Sequence, residues 1–264
     1  MLHRVPFIKT PPRVAVVRLS GVIANNPRAL SDSGIGPLIE RAFSRGKPTA
    51  VALVINSPGG SPVQSSLIGA RIRRLAEEKE IPVHAFVEDV AASGGYWLAA
   101  AADDIYVDNC SVLGSIGVIS AGFGAHVFLN RQGIERRVHT AGKSKSMMDP
   151  FKPETPEDVA RLEKILEQIH GAFIDHVKTR RGDKLADNPD LFTGEVWIGN
   201  SAVEVGLADG VGHLKPKLQE IYGDKVKLIP YSRKRSLFGR FGAQIVEDAV
   251  TGIEERAAYA RFGL

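Results

Sequence analysis

The strongest constraint on the fold is a strand–turn–helix–strand succession between residues 49 and 87. Residues 49–55 form a nearly unbroken apolar run, which is typical of a strand buried on both faces. A glycine-containing turn follows at 56–60. Residues 63–79 then carry apolar side chains at helical spacing, and a second apolar run lies at 83–87. Two strands that flank a helix in this way predict a βαβ crossover and a mostly parallel sheet.

The same alternation continues on both sides of this unit, so the sequence predicts an α/β fold. Further strands are predicted at 13–23, 105–107 and 135–140, and further helices at 35–43, 94–102 and 126–132. The longest helix is predicted to begin at Pro156, with Thr155 as its N-cap and Asp158 three positions after the cap.

Composition places the chain among ordinary globular proteins. Its 264 residues, 44% of them hydrophobic, can bury a core without support from a disulfide or a metal. The single cysteine, Cys110, has no partner for an intrachain disulfide and fits a reducing compartment. The pattern weakens beyond Tyr231, so we predict a main domain at 1–231 and a basic, partly helical tail at 232–264.

No segment is typical of membrane insertion or secretion. No apolar run approaches the ~20 residues that a helix needs to cross a bilayer. Residues 1–12 carry charges and prolines where a signal peptide needs an apolar stretch, so we expect a cytoplasmic protein. The net charge of +4 is modest, and we assign no nucleic-acid partner. In the tail, arginines beside Phe238 and Phe241 favour peripheral contact with the inner face of the membrane.

Ser93 is the most informative single residue. It lies between two alanines and two glycines at the start of an apolar helix. Small neighbours let a substrate backbone approach, and a helix that begins here contributes free N–H groups and its dipole. A serine that only caps the helix is the simpler interpretation of this position alone. A nucleophilic serine is favoured because the other parts of a Ser–Lys acyl-transfer site are also present.

The turn at 56–60 supplies candidate donors for an oxyanion. It follows a buried strand, so it lies at the carboxyl end of that strand, where open α/β sheets place their sites. Gly59 and Gly60 can direct backbone N–H groups at an oxyanion. Each such donor is worth roughly 3 kcal/mol in the transition state.

Lys143 and Lys145 are the candidate general bases. A lysine of ordinary pKa, about 10.4, is protonated at neutral pH, so a base requires burial or a neighbouring cation that lowers its pKa. The two lysines are two residues apart and would share one face of a strand, where one could depress the pKa of the other. Either lysine fits this requirement.

Nucleotide and metal sites are not supported, and we assign no cofactor. The segment 142–144 resembles the end of a phosphate-binding loop, but Arg137 stands where the first glycine of that loop is required. His170 and His176 are six residues apart on one predicted helix, so they do not share a face as an i, i+4 metal pair does.

Several motifs in a fixed order resemble the signal peptide peptidase (SppA-type) family of serine peptidases, in its half-length form. They are Asn56-Ser57-Pro58-Gly59-Gly60, Ala92-Ser93-Gly94-Gly95-Tyr96, Gly114-Ser115-Ile116-Gly117-Val118 and Gly142-x-x-Lys145-Ser146. A C-terminal signature is also similar to that family: Phe192-x-Gly194, Trp197-x-Gly199, Ala202 and Gly206-Leu207-x-Asp209. The resemblance extends from about residue 13 to residue 231.

The resemblance implies a ClpP/crotonase-like fold and an ATP-independent serine endopeptidase with a Ser–Lys dyad. Ser93 would be the nucleophile, Lys145 the general base and Ser115 the group that orients the lysine amine. The N–H groups of Gly60 and Gly94 would bind the oxyanion. The family forms octamer-like rings in which serine and lysine come from neighbouring protomers, and it cleaves unfolded or apolar peptides such as signal-peptide remnants. We therefore expect a homo-oligomeric ring.

Three alternatives remain open at this point. A crotonase-type acyl-CoA enzyme would use the same glycine N–H groups but would need neither Ser93 nor a lysine. A Ser–His–Asp triad would use His126 as its base. A ring-forming scaffold would bind extended peptides by strand addition without cleaving them.

Overall fold

The chain alternates strands and helices along its length. The structure is a computed structural model that describes residues 11–26, 29–232 and 256–264. Its strands are β1 (Arg13–Ser20), β2 (Ala50–Ser57), β3 (Val83–Ala92), β4 (Asp104–Val107), β5 (Val112–Gly114), β6 (Val196–Ile198), β7 (Gly210–Val211) and β8 (Lys227–Tyr231). Its helices are α1 (Asp32–Ser44), α2 (Pro62–Lys79), α3 (Gly94–Ala100), α4 (His126–Arg131), α5 (Pro156–Arg181), α6 (Asn200–Glu204) and α7 (Leu214–Tyr222). A further helical turn lies at 256–260.

One sheet joins all eight of these strands. Its main order is β6-β5-β3-β2-β1-β8, and β4 branches from β3 to pair with β7. All pairs are parallel except β5 with β6. The predicted α/β fold with a mostly parallel sheet is confirmed, and it agrees with the ClpP/crotonase-like fold that the resemblance implies.

Strand β3 divides between two neighbours, and this division positions the site. Residues His84–Val87 pair with β4, whereas Val90–Ala92 pair with β5. The last three residues of β3 therefore leave the β4 side of the sheet and run beside β5. Ser93, which follows immediately, is brought next to the residues that follow β5.

The apolar residues form one large core and two smaller clusters. The large core lies between the sheet and the helices α1, α2, α3 and the second half of α5. A second cluster, which includes Leu218 of α7, covers the other face of the sheet. The third contains Val90, Ala92 and Val112, and Tyr259 and Phe262 pack against it.

The longest helix begins as predicted, with the Thr155 side chain accepting the N–H of Asp158 at 3.2 Å. Its second half reaches the core, where Phe173 and Val177 are buried. Its first half does not, and the side chain of Ile165 is 44% exposed. The apolar stripe of α5 therefore continues past the core of this chain.

The predicted strand at 135–140 is wrong, because these residues form no regular structure. They belong to an arm (residues 117–154) in which helix α4 has no buried residue. Alternating side chains alone do not make a strand, since the backbone needs a neighbouring edge to pair with. No described strand of this chain lies beside 135–140.

The predicted domain boundary lies near the end of the last strand, β8. Phe238 and Phe241 lie outside the described residues, whereas the segment 256–264 packs back onto the sheet. Among the helices described, none combines the length and apolar character needed to cross a membrane.

Candidate active site

Ser93 occupies the N-cap position of α3, but its side chain makes no capping hydrogen bond. Its φ of 52° and ψ of −123° are unusual for a residue other than glycine. The backbone is held on both sides: the N–H of Ser93 donates to the carbonyl of Gly114 at 2.8 Å, and its own carbonyl accepts the N–H of Tyr96 at 2.9 Å. The simple capping interpretation is therefore wrong. The Ser93 hydroxyl therefore has no capping role.

A cavity of about 530 Å³ lies in front of this hydroxyl, and we call it the Ser93 cavity. Its walls come from six parts of the chain. They are Pro58, Gly60 and Pro62; Ser93, Gly94 and Trp97; Ser115 and Gly117–Ile119; Ile169, His170 and Phe173; Thr193 and Gly194; and Arg261 with Phe262.

Two backbone N–H groups face this cavity without an acceptor. Among the described residues, nothing accepts a hydrogen bond from the N–H of Gly60 or of Gly94. The two are close together, since a Cβ added to Gly94 would lie 3.4 Å from the Gly60 nitrogen. Gly59 differs, because its N–H donates to Ser57 Oγ at 3.2 Å and it does not line the cavity. The geometry therefore offers Gly60 and Gly94 as an oxyanion-binding pair.

The turn that carries Gly60 is fixed against Ile23, which lies between β1 and α1. The N–H of Ile23 donates to the carbonyl of Gly59 at 2.8 Å, and the N–H of Ser61 donates to the carbonyl of Ile23 at 2.7 Å. Gly60 has a φ of 139°, and a Cβ there would lie 2.1 Å from the Ile23 carbonyl oxygen. Only glycine fits this close approach.

Ser115 lies in the same cavity as Ser93. Its φ is 49°, and its N–H donates to the carbonyl of Glu195 at 2.7 Å. The preceding residue, Gly114, accepts from the N–H of Ser93, so the two serines are joined through one backbone hydrogen bond. Packing of Gly114 against Trp197 fixes this stretch from below, since a Cβ on Gly114 would lie 2.9 Å from the indole ring.

The two candidate lysines lie away from Ser93 within this chain. Lys143 and Lys145 are exposed in a turn at 143–148, and neither lines the Ser93 cavity. His126, the alternative base, also lies outside the cavity, as the first residue of α4. One chain therefore brings together Ser93, Ser115, Gly60 and Gly94, but not the lysine.

Helix α5 contributes a wall that the sequence analysis missed. His170 lines the cavity, and its Nε2–H donates to the carbonyl of Ile116 at 3.0 Å, because a carbonyl can only accept. Trp97 is held from behind by His176, whose ring stacks on the indole at 4.5 Å between centroids. Burial lowers the pKa of His176 below its ordinary value, although its hydrogen bond to the Trp97 carbonyl opposes that effect. The spacing of the two histidines in the sequence bears only on a metal pair and does not indicate that they belong to this wall.

Comparison with known proteins finds proteases and longer proteins that are named as antiporters. A sequence model of Peptidase family S49 matches residues 76–225. The Na(+)/H(+) antiporter NhaA of Brucella abortus is 46% identical over 271 residues, which cover 95% of this chain and 37% of that protein. The chloroplastic serine protease SPPA of Arabidopsis thaliana is 32% identical, over 84% of this chain and 35% of that protein. The probable protease SohB of Haemophilus influenzae is 31% identical, over 76% of this chain and 56% of that protein.

This chain therefore matches between about a third and somewhat more than half of the length of these relatives. Among solved structures, a mutant of the 1510-N membrane-bound stomatin-specific protease has a TM-score of 0.49 at 13% identity. That match covers 86% of this chain and 100% of the other.

Proposed function

This chain belongs to peptidase family S49, and we propose that it is an ATP-independent serine endopeptidase with Ser93 as nucleophile and Lys145 of a neighbouring protomer as general base. The observation that carries the proposal is the Ser93 cavity, where a hydroxyl without a capping role lies beside two N–H groups without acceptors. Unfolded or apolar peptides are the substrates that the family resemblance supports.

The proposed reaction follows the ordinary course of acyl transfer. The Lys145 amine takes the proton of the Ser93 hydroxyl as Oγ attacks the peptide carbonyl, and the N–H groups of Gly60 and Gly94 bind the oxyanion. The resulting ammonium then protonates the leaving amine. In the second half, the amine activates water, which releases the acyl group and regenerates the Ser93 hydroxyl.

Lysine can act as a base only in its neutral form, and burial favours that form. In the single chain Lys145 is exposed, whereas an interface with a second copy would bury it against Ser115. Exposed apolar side chains on the arm support such an interface: Phe123 is 92% exposed and Phe128 62%. The first half of α5 also has an exposed apolar side chain, Ile165, and a second copy would cover such exposed apolar residues. A ring of such contacts is the assembly we propose.

We place the protein at the inner face of the membrane. The sequence at 233–240 is rich in arginine, which favours anionic lipid, and one relative is a protein named as an antiporter. Co-sedimentation with anionic vesicles is the expected outcome, and absence of binding at low salt would remove this part of the proposal.

The activity is tested by cleavage of an unfolded protein without ATP. Ser93→Ala and Lys145→Ala should each lose activity by about a thousandfold or more, because both residues act in one unit. Lys143→Ala is the matched control and should retain activity, since its lysine is not the proposed base. Survival of activity in Ser93→Ala would instead point to crotonase-type chemistry at the same N–H groups.

A further inference from the structure

Among the described residues that line the Ser93 cavity, Arg261 carries a permanent charge, which is positive. His170 and Arg261 are the ionisable side chains among the described residues that line it, and no aspartate or glutamate of the described part does so. Glu195 is acidic and directly follows Gly194, which lines the cavity. Its side chain is exposed, and its Oε1 accepts the N–H of Val196 at 3.1 Å. The walls therefore offer positive charge without a facing carboxylate.

Arg261 is held at the cavity by its neighbours in the segment 256–264. Tyr259 and Phe262 pack against the apolar cluster that contains Val90 and Ala92, which are the last residues of β3 before Ser93. The hydroxyl of Tyr259 also donates to the carbonyl of Asn56 at 2.7 Å, at the end of β2. Arg261 thus lies between two anchored aromatic residues, on the side of the sheet where Ser93 lies.

The Arg261 guanidinium has no ion-pair partner in the described part of the chain, whereas several other arginines have one; they are Arg18, Arg71, Arg73, Arg180 and Arg181. A concave wall with low dielectric behind it strengthens the field of such a cation. A guanidinium matches the geometry of a carboxylate, with two parallel N–H donors for its two oxygens. The missing counter-charge is therefore one that a substrate can supply.

We propose that Arg261 is a specificity-determining residue, which selects peptides that carry a carboxylate close to the bond cleaved at Ser93. The carboxylate is either an aspartate or glutamate side chain or the end of the peptide chain. This inference rests on the proposed function, because the cavity is a substrate site only if Ser93 is the nucleophile.

The test uses a neutral, amidated peptide with a quenched fluorophore, in which Asp, Asn or Lys replaces one residue at a time along the sequence. The wild-type protein should cleave the Asp peptide about fivefold faster than the Asn peptide, in kcat/KM, at one position. A second series with Asn throughout and a free carboxyl end distinguishes a terminal carboxylate from a side chain. Arg261→Glu should reverse the preference between Asp and Lys, and Arg261→Lys should keep part of it.

Arg256→Glu is the matched control. Arg256 lies in the same segment and is exposed, but it does not line the cavity, so the change in net charge is identical. This variant should keep the wild-type preference. Higher salt should weaken the preference in the wild type, since Arg261 is exposed to solvent at the mouth of the cavity.

Equal cleavage of the Asp and Lys peptides by the wild type would overturn the inference. Faster cleavage of all peptides by Arg261→Glu would also overturn it, because this result would show that the segment 256–264 only obstructs the cavity in the wild type. Measurable cleavage of the Asn peptide by Arg261→Glu distinguishes a changed preference from a loss of catalysis. Should no peptide be cleaved, the proposed function fails, and binding of labelled Asp and Asn peptides to Ser93→Ala still tests Arg261.

Discussion

At the scale of single residues, the site depends on how closely the backbone around Ser93 is packed. A Cβ on Gly95 would lie 2.3 Å from the Ser57 carbonyl oxygen, and one on Gly59 would lie 2.9 Å from the Ser93 Cβ. The turn after β2 and the turn after β3 therefore interlock, and each fixes the position of the other. Within this contact, Ser93 is not a glycine and yet has a positive φ.

This conformation predicts a stability difference between two inactive variants. The free energy of unfolding should be about 1 kcal/mol higher for Ser93→Gly than for Ser93→Ala, because only glycine adopts a φ of 52° without steric cost. Urea denaturation of both variants measures the difference. An Ala variant at least as stable as the Gly variant would show that the backbone at Ser93 is unstrained.

At the scale of elements, the sequence pattern predicted the helices α1 to α5 and the strands β1 to β4. The spacing of apolar residues sufficed for α2 and α5, and the Thr155 cap could be identified from sequence because it is a local interaction. Strand β6 was missed, since its three residues lie among glycine turns and pair with β5 only through the fold. The false strand at 135–140 has the opposite cause: its local pattern has no partner edge in this chain.

The site was predicted in the same uneven way. Ser93, Gly60, Gly94 and Ser115 lie in local motifs, and these motifs end at one edge of the sheet because the strands are parallel. Arg261 and the α5 wall could not be found by that reasoning. They reach the cavity through packing of segments that are distant in sequence, and no short pattern signals such an approach.

The end of α5 is tied to β4 and β7 through a buried ion pair. Arg181, with a side chain 2% exposed, donates to Asp209 Oδ2 at 2.8 Å, and Lys184 donates to Oδ1 of the same carboxylate. Burial raises the pKa of Asp209, but these hydrogen bonds outweigh it and bring the pKa below its ordinary value. Asp209 also accepts the N–H of Ile105, the second residue of β4.

Removing the shared carboxylate should therefore cost far more than removing the exposed cation. Asp209→Asn leaves a buried guanidinium without its counter-charge, and we expect a loss of about 3–5 kcal/mol in the free energy of unfolding. Lys184→Ala should cost less than about 1 kcal/mol, since that side chain is half exposed. Denaturant titrations of the two variants measure both. Similar losses would show that the pair with Arg181 has no special weight.

His176 should make the docking of α5 on α3 sensitive to acid. Its folded pKa lies below the ordinary value, so the unfolded chain binds the proton at higher pH, and stability falls as the pH drops below about 6.5. His176→Phe keeps an aromatic ring on Trp97 but cannot bind the proton. The loss in unfolding free energy between about pH 7.5 and about pH 5.5 should be smaller in this variant. The same loss in both proteins would exclude His176 as its source.

At the scale of the whole molecule, one chain holds the proposed nucleophile and oxyanion donors together, but not the proposed base. Ser93 and the glycines of the two N–H donors, Gly60 and Gly94, line the Ser93 cavity. Lys145 lies on the arm (residues 117–154), whose helix α4 has no buried residue. Phenylalanines on that arm and Ile165 in the first half of α5 are exposed to solvent. A second copy that covers this surface would complete the site, and the activity would then belong to the assembly.

Mixing two inactive variants tests whether the site is shared. In a ring with identical head-to-tail contacts, equal amounts of Ser93→Ala and Lys145→Ala should restore about a quarter of the wild-type activity. The reason is that a site becomes complete when a Lys145→Ala protomer supplies Ser93 and its Ser93→Ala neighbour supplies the lysine. Lys145→Ala mixed with a variant that lacks both residues is the control and should stay inactive, because no protomer then supplies a lysine. Mixed rings that form but remain silent would argue that Ser93 and Lys145 act within one chain, because neither variant could then complete the site of the other.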